Sequence, residues 1–515
     1  MKYRKKLFRV LPFLLLLVFF VVQFFALRNH SQSFYFQDET EHVTLGWMIS
    51  DYGKVLYKDL STNHQPLPIL VGAIFSKVIR FTTLFQLVER LRIGMLFFNF
   101  LVSLYLVFRF KWKGLLSVLF LQSVSYLFFG WYVLAESLVA PFVSIVVLNL
   151  LELFFDKKDK QKVVDGLVMA FSTFWLAFNL LPLWPFIAIS SLVYLYKSSL
   201  KIRKIFLSSF LIFSLLMFTQ FPILSWLEET FYHLIKYYLP YNNELGLGGF
   251  LQLFLLPLTG LLHFQSVVPR FLFVSTVLIF IFGFKLFKEK KKRVAFVLLF
   301  LLVLFLNTRV TDVRKVFYTG FHLYPFIAGF SAFLSFFVVS FLQKAGKKQF
   351  ILTIFIILFL LIGNMSWAGE KKDKVSEHNI QYGEQQAFIN ALSILKIKED
   401  RLLTGADGYG YINMVSQLPL AGRQNFYLDW AYRVPKLRGE FELMMKESPP
   451  EFIYFKRGSS DYYDQLGLND NYINLVRADS SLTDLYILKD SAVKMSGDQW
   501  QRLEEQRFQI PDITN

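Results

Sequence analysis

Long apolar windows separated by short basic clusters constrain this chain more than any other feature. Leu11 to Leu27 is one such window, and Phe350 to Ile362 extends another. Only lipid or a very large core absorbs apolar stretches of that length. Composition agrees: 55% of the 515 residues are hydrophobic and 61 are Phe. Charged residues make up 18%, below the ~25% usual in soluble domains. The chain reads as an α-helical polytopic membrane protein.

A net charge of +17 would suggest nucleic acid in a soluble protein. Here the cations gather at Lys2–Arg9, Arg109–Lys113, Lys157–Lys162, Lys197–Lys204, Lys285–Arg293 and Lys344–Lys348. Clusters in short loops between apolar spans follow the positive-inside rule, so the charge is topology and no nucleic-acid partner is expected. The absence of cysteine excludes disulfides and thiolate chemistry. "MKYRKKLFRV" resembles a signal n-region, but the apolar run is long and no small-x-small cleavage site precedes Arg28. An uncleaved anchor with a cytoplasmic N-terminus is expected.

If all the basic clusters are cytoplasmic, an even number of crossings separates neighbours. Segments 8–27, 84–108, 114–130, 132–155, 163–181, 183–197, 205–224, 269–287, 294–307, 317–342 and 349–367 satisfy this. They make about eleven spans near the ~20 residues a bilayer requires. Residues 28–83, 225–268, 308–316 and those after 368 then face outward. Pro66–Phe81 and Phe250–Phe264 would break the parity, and are expected to lie on or dip into the outer leaflet. From Glu370 the composition becomes mixed and polar. "RLLTG" and "EFIYFKRG" read as short strands, and "PKLRGEFELMMKESPP" as a helix stopped by prolines. The expected domains are therefore a transmembrane domain 1–368, including the long first outer loop 28–83, and an extracytoplasmic α/β domain 369–515. No internal repeat is visible, which weighs against inverted-repeat transporters.

The first outer loop carries Asp38, Glu39, Glu41, Asp51 and Asp59 against Arg28, Lys54 and Lys58. Asp38 to Asp51 reads as a helix on which Asp38, Glu41 and His42 share a face. Glu41 and Asp51 suit capping and solvation. Asp38-Glu39 is harder to dismiss, because unpaired charge at the mouth of a helix bundle is costly. Asp38, His42 and His64 are a weaker alternative as a divalent-metal site, since their spacing matches no strong metal motif. Glu136, about one turn into a span, is a functional candidate because a lone intramembrane carboxylate is expensive. Arg309, Arg314 and Lys315 fall on the outer side, against the positive-inside trend, and suit a phosphate.

"DETEHVTLGWMISDYGKVLYKDLSTNHQPLP" resembles the first outer loop of C-type membrane glycosyltransferases that use polyprenyl-phosphate sugars. The likeness is to the branch with protein O-mannosyltransferases and the lipid A aminoarabinose transferase. It rests on Asp38-Glu39, Gly53, Leu56-Tyr57, Asp59 and His64-Gln65-Pro66. "ERLRIGML" with Arg90, "AES" with Glu136, and the passage from Arg314 to Tyr318 followed by Pro325 also resemble family features. The resemblance implies an outward-facing transferase with a lipid-phosphate-linked sugar donor and a lipid, glycan or protein acceptor, in a bacterial-type cytoplasmic membrane. It implies catalytic Asp38 and Glu39, with Tyr57, Asp59, His64, Arg90, Glu136, Arg309, Arg314, Lys315 and Tyr318 binding substrate. A divalent cation is left open. One departure concerns the donor: "FSTFWLAFNLLPLWP" lacks the lysine the family often has in its middle spans. A lipid-linked glycan transporter, a glycan polymerase or ligase, and a non-catalytic receptor are the rival classes.

Overall fold

The computed structural model describes residues 2–30, 37–155, 162–238, 240, 267–306, 320–345, 373–405, 411–424, 429–455, 471–479 and 481–509. In chain order its first helices are α1 (Lys2–His30), α2 (Gln37–Tyr52), α3 (Pro66–Val78), α4 (Leu84–Phe110), α5 (Trp112–Ser123) and α6 (Ala135–Phe155). There follow α7 (Val163–Asn179), α8 (Trp184–Lys197), α9 (Leu200–Phe218), α10 (Ile223–Leu227), a π-helix over Glu228–Tyr238, α11 (Val267–Leu286), α12 (Lys290–Leu304) and α13 (Tyr324–Ala345). The chain divides into two compact units. The first contains 1–30, 92–217 and 243–371; the second contains 31–91, 218–242 and 372–515. Residues 31–91 therefore fall with the C-terminal residues.

Four described helical stretches are long and apolar enough to cross a membrane: Val10–Leu27, Leu84–Phe110, Ala135–Phe155 and Phe321–Gln343. The count is five if Leu200–Phe218 and Ile223–Tyr238, bent by 96° at the break over 219–222, form one span. Shorter apolar helices include Val163–Asn179 and Leu272–Leu286. The expected span 349–367 and the surface segment Phe250–Phe264 lie outside the described residues. Pro66–Phe81 is helical over Pro66–Val78, with Ile74 and Val78 exposed.

In the first unit, α6 and α13 supply much of the core. Phe326, Phe330, Phe333 and Phe337 recur at helical spacing along α13 and are all buried. Phe337 meets Phe296 of α12 edge-on at 5.2 Å, and Ser144 of α6 donates to the Ala328 carbonyl at 3.3 Å. The basic cluster Arg109–Lys113 is not simply solvated. Arg109 binds Asp165 at 2.7 Å and Glu152 at 2.9 Å, and Lys113 approaches Glu152 at 3.6 Å. Two cations of this cluster are thus partly buried and ion-paired, as charges in so apolar a setting must be.

The second unit contains a five-stranded sheet. Its strands are β1 (Leu402–Thr404), β2 (Phe452–Tyr454), β3 (Tyr472–Arg477), β4 (Leu482–Leu488) and β5 (Phe508–Gln509), in the order β1-β2-β4-β3-β5. β1 and β2 run parallel and the other pairs antiparallel. Leu403, Phe441, Ile453, Phe455, Tyr472 and Tyr486 form its core. β1 and β2 coincide with "RLLTG" and "EFIYFKRG". The expected helix is Pro435–Glu447, with Pro435 in the first turn where its missing N–H costs nothing.

Candidate functional site

Helices α2 and α3 touch backbone to backbone. A Cβ on Gly46 would lie 2.3 Å from the Ala73 nitrogen, and one on Gly72 would lie 2.3 Å from the His42 carbonyl oxygen. Only glycine permits that approach, and it brings the residues preceding α3 beside the first turns of α2. The His42 and His64 rings meet edge-on, 4.7 Å apart. Glu39 and His42 are buried, whereas Asp38 is half-buried in the first turn. Of the two expected catalytic acids, Asp38 is the more exposed and Glu39 is fully buried.

Glu41 does not act as the solvated cap expected of it. It is buried, accepts a 2.6 Å hydrogen bond from the Thr62 hydroxyl, and stands 3.4 Å from His64 Nε2. Burial pushes its carboxyl up, but the charge and hydrogen bond of His64, with Thr62, outweigh that and leave it below its ordinary value. The weaker metal alternative gains no support: Asp38, His42 and His64 do not assemble a ligand set, and the described residues contain no group of three or more His, Cys, Asp or Glu placed to hold a metal ion.

Between the two helices, Tyr57 has a left-handed backbone at φ +62, which costs a non-glycine residue roughly 1–2 kcal/mol. Surrounding bonds hold it there. Its hydroxyl donates to the His64 carbonyl at 2.7 Å, and Asp59 closes the turn by accepting from the Val55 N–H at 2.9 Å. Burial raises the Tyr57 phenol well above its usual range, so it serves as a donor and not as an acid near neutral pH. Asp59 is tied up by the turn, Arg90 is exposed, and Arg309, Arg314, Lys315 and Tyr318 lie outside the described residues.

The sequence did not point to Glu229 or Arg423. Glu229, in the π-helix, accepts from the Thr62 N–H at 2.9 Å and from Arg423 Nη2 at 2.8 Å. Arg423 also grips Glu440 through Nη1 at 3.0 and 3.1 Å and the Tyr57 carbonyl at 3.1 Å. Its own carbonyl accepts from the Ser61 N–H at 2.7 Å. Glu228-Glu229 is an acid pair inside an aromatic stretch, a signal that could have drawn attention. Arg423 offers none locally.

In the first unit, Glu136 occupies the first turn of α6, where the helix dipole favours a carboxylate. Glu136 is buried, and His322 Nδ1 lies 2.7 Å from it. Two residues past Arg90, Arg92 is buried with its guanidinium 3.3 Å from the centre of the Tyr132 ring. The fold thus converts "AES" into a histidine-paired carboxylate, a partner the sequence did not suggest.

No protein-family model matches the sequence, and no curated protein matches it. Solved structures do. ArnT from Cupriavidus metallidurans in the apo state superposes with a TM-score of 0.54 at 10% identity, over 92% of this chain and 97% of that one. The same protein bound to undecaprenyl phosphate gives a TM-score of 0.51 at 14% identity, over 89% of this chain and 94% of that one. The chain has the ArnT fold. The likeness covers nearly the whole of both chains, and with the apolar helices it makes this an integral, multi-pass membrane protein.

Proposed function

We propose that this protein is an inverting glycosyltransferase that moves a sugar from a polyprenyl-phosphate donor to an acceptor at the outer face of the membrane. The observation that carries the reading is the fold shared with ArnT, one structure of which holds undecaprenyl phosphate. It is supported by the half-buried Asp38 at the start of α2 and by the phosphate-compatible cations of 309–315. In this reading Asp38 takes the proton from the acceptor hydroxyl or amine as that atom attacks the anomeric carbon. The bond from that carbon to the phosphate oxygen breaks, and polyprenyl phosphate leaves with the electron pair. Phosphate needs no general acid, only the cations Arg309, Arg314 or Lys315. One carboxylate then suffices, unlike the carboxylate pair of glycosidases. Glu136 and His64 would bind sugar hydroxyls. About eleven spans, a cytoplasmic N-terminus and an outward C-terminal α/β domain belong to the same proposal.

Purified protein incubated with a radiolabelled polyprenyl-phosphate sugar and membrane acceptors should release free polyprenyl phosphate. A carrier would move the label without cleaving it, and that result would overturn the enzyme reading. Reporter fusions at residue 290 and at the C-terminus should give opposite signals, since the acids and the C-terminal residues must share the outer face.

A further inference from the structure

We propose that Arg423, far along the chain from the acids of the first outer loop, is a positioning residue that sets the conformation of Tyr57–His64 and thereby of the substrate contacts there. The substrate role of that loop rests on the glycosyltransferase reading; the brace itself does not. The Arg423 guanidinium donates to the Tyr57 carbonyl at 3.1 Å, and the backbone carbonyl at the same position, which substitution leaves in place, accepts from the Ser61 N–H at 2.7 Å. A third hold is indirect. Arg423 fixes Glu229, and Glu229 accepts the next N–H, that of Thr62. Gln424 adds a weak bond to the Ser61 hydroxyl at 3.4 Å. From Thr62 the chain of contacts continues to Glu41 and His64. Left-handed Tyr57 lies inside the braced segment, and such a conformation persists only where its surroundings over-determine it. The planar guanidinium fork spreads these bonds over two nitrogens, with Nη1 on both Glu440 oxygens and Nη2 on Glu229 and the Tyr57 carbonyl, a geometry that the single nitrogen of a lysine does not reproduce.

Full-length protein in detergent provides two independent readouts. In Arg423→Gln, amide hydrogen exchange over residues 55–65 should rise roughly tenfold while that over 135–155 stays unchanged. Arg423→Lys keeps the charge without the fork and should give an intermediate rise, which guards against loss of folding in the first variant. Unchanged exchange over 55–65, or an equal rise everywhere, would overturn the inference. For transfer, Arg423→Gln should lower kcat about tenfold, the scale of a small misplacement of reacting groups. In a His64→Ala background the same change should cost no more than about twofold, because the group it positions is already gone. Fully multiplicative losses would mean that Arg423 does not act through His64. If the unsubstituted protein transfers no sugar, the functional reading fails while the exchange result still decides the brace.

Discussion

Glu136 meets His322 at 2.7 Å in the first unit, whereas Glu41 stands 3.4 Å from His64 in the second. The first contact is a direct hydrogen bond at the start of a helix whose dipole already favours the anion. The second is longer, and Glu41 shares its hold between the His64 imidazole and the 2.6 Å hydrogen bond from Thr62. Thr62 in turn is held by Glu229, and Glu229 by Arg423. One pair is local, built from two short segments. The other is distributed over α2, the loop before α3, the π-helix and the residues near 423. A distributed pair can be displaced from a distance, whereas a local one cannot.

The sharpest way to break this comparison is to ask whether either paired carboxylate is the base. Both are committed to partners, and Asp38 is the more accessible acid. Asp38→Asn should fold, insert and bind donor, yet lose at least ~10²-fold in single-turnover transfer, the usual scale for removing a general base. Near-normal transfer, with a comparable loss in Glu136→Gln instead, would move the base to the local pair in the first unit.

The limits of what the residues disclosed follow the same division. The long helices were legible because apolar windows of that length must be buried, a constraint that acts locally along the chain. Glu136 was legible because a carboxylate in an apolar run is costly wherever it sits. His322 was not, since its meaning depends on a contact 186 positions away. Glu41 was misread as a cap for a related reason: its spacing on α2 says nothing of Thr62, which arrives only because Gly46 and Gly72 let α3 close in. Arg423 is the extreme case, an ordinary residue in a polar stretch until the fold sets it beside Tyr57 and Glu229.

The local pair should carry the larger stability effect. Glu136→Gln keeps the shape but leaves half-buried His322 without its charged acceptor inside the fold, and is expected to cost about 2–3 kcal/mol, read as a lowered thermal midpoint. A loss smaller than that of Glu41→Gln would reverse the ranking of the two pairs.

The distributed pair should instead respond to pH through Glu229. Burial raises this carboxyl to about 7, more than the Arg423 guanidinium and the bonds from Ser61 and Thr62 pull it down. An acid raised on folding contributes stability that is complete below its ordinary 4.5 and is lost as pH rises through about 7. Relative to Glu229→Gln, the unsubstituted protein should therefore lose on the order of 1–3 kcal/mol between those limits and change little above them. A stability difference that grows with pH over that range would mean that Arg423 and its neighbours hold Glu229 ionised throughout.

The smallest effect is expected at Glu41, and its sign is opposite. Its carboxyl is lowered, so its contribution is present above the ordinary 4.5 and is lost as pH falls below it. Glu41→Gln keeps an acceptor for the Thr62 hydroxyl and removes the charge that faces His64 and His42. About 1 kcal/mol should be lost near neutral pH, shrinking as the pH drops through the acid limb. Chemical denaturation of the two proteins at pH ~7 and pH ~4 checks this. A loss of several kcal/mol at neutral pH would show that Glu41 and His64 form a tight pair after all, and that the second unit holds its carboxylate in the same way as the first.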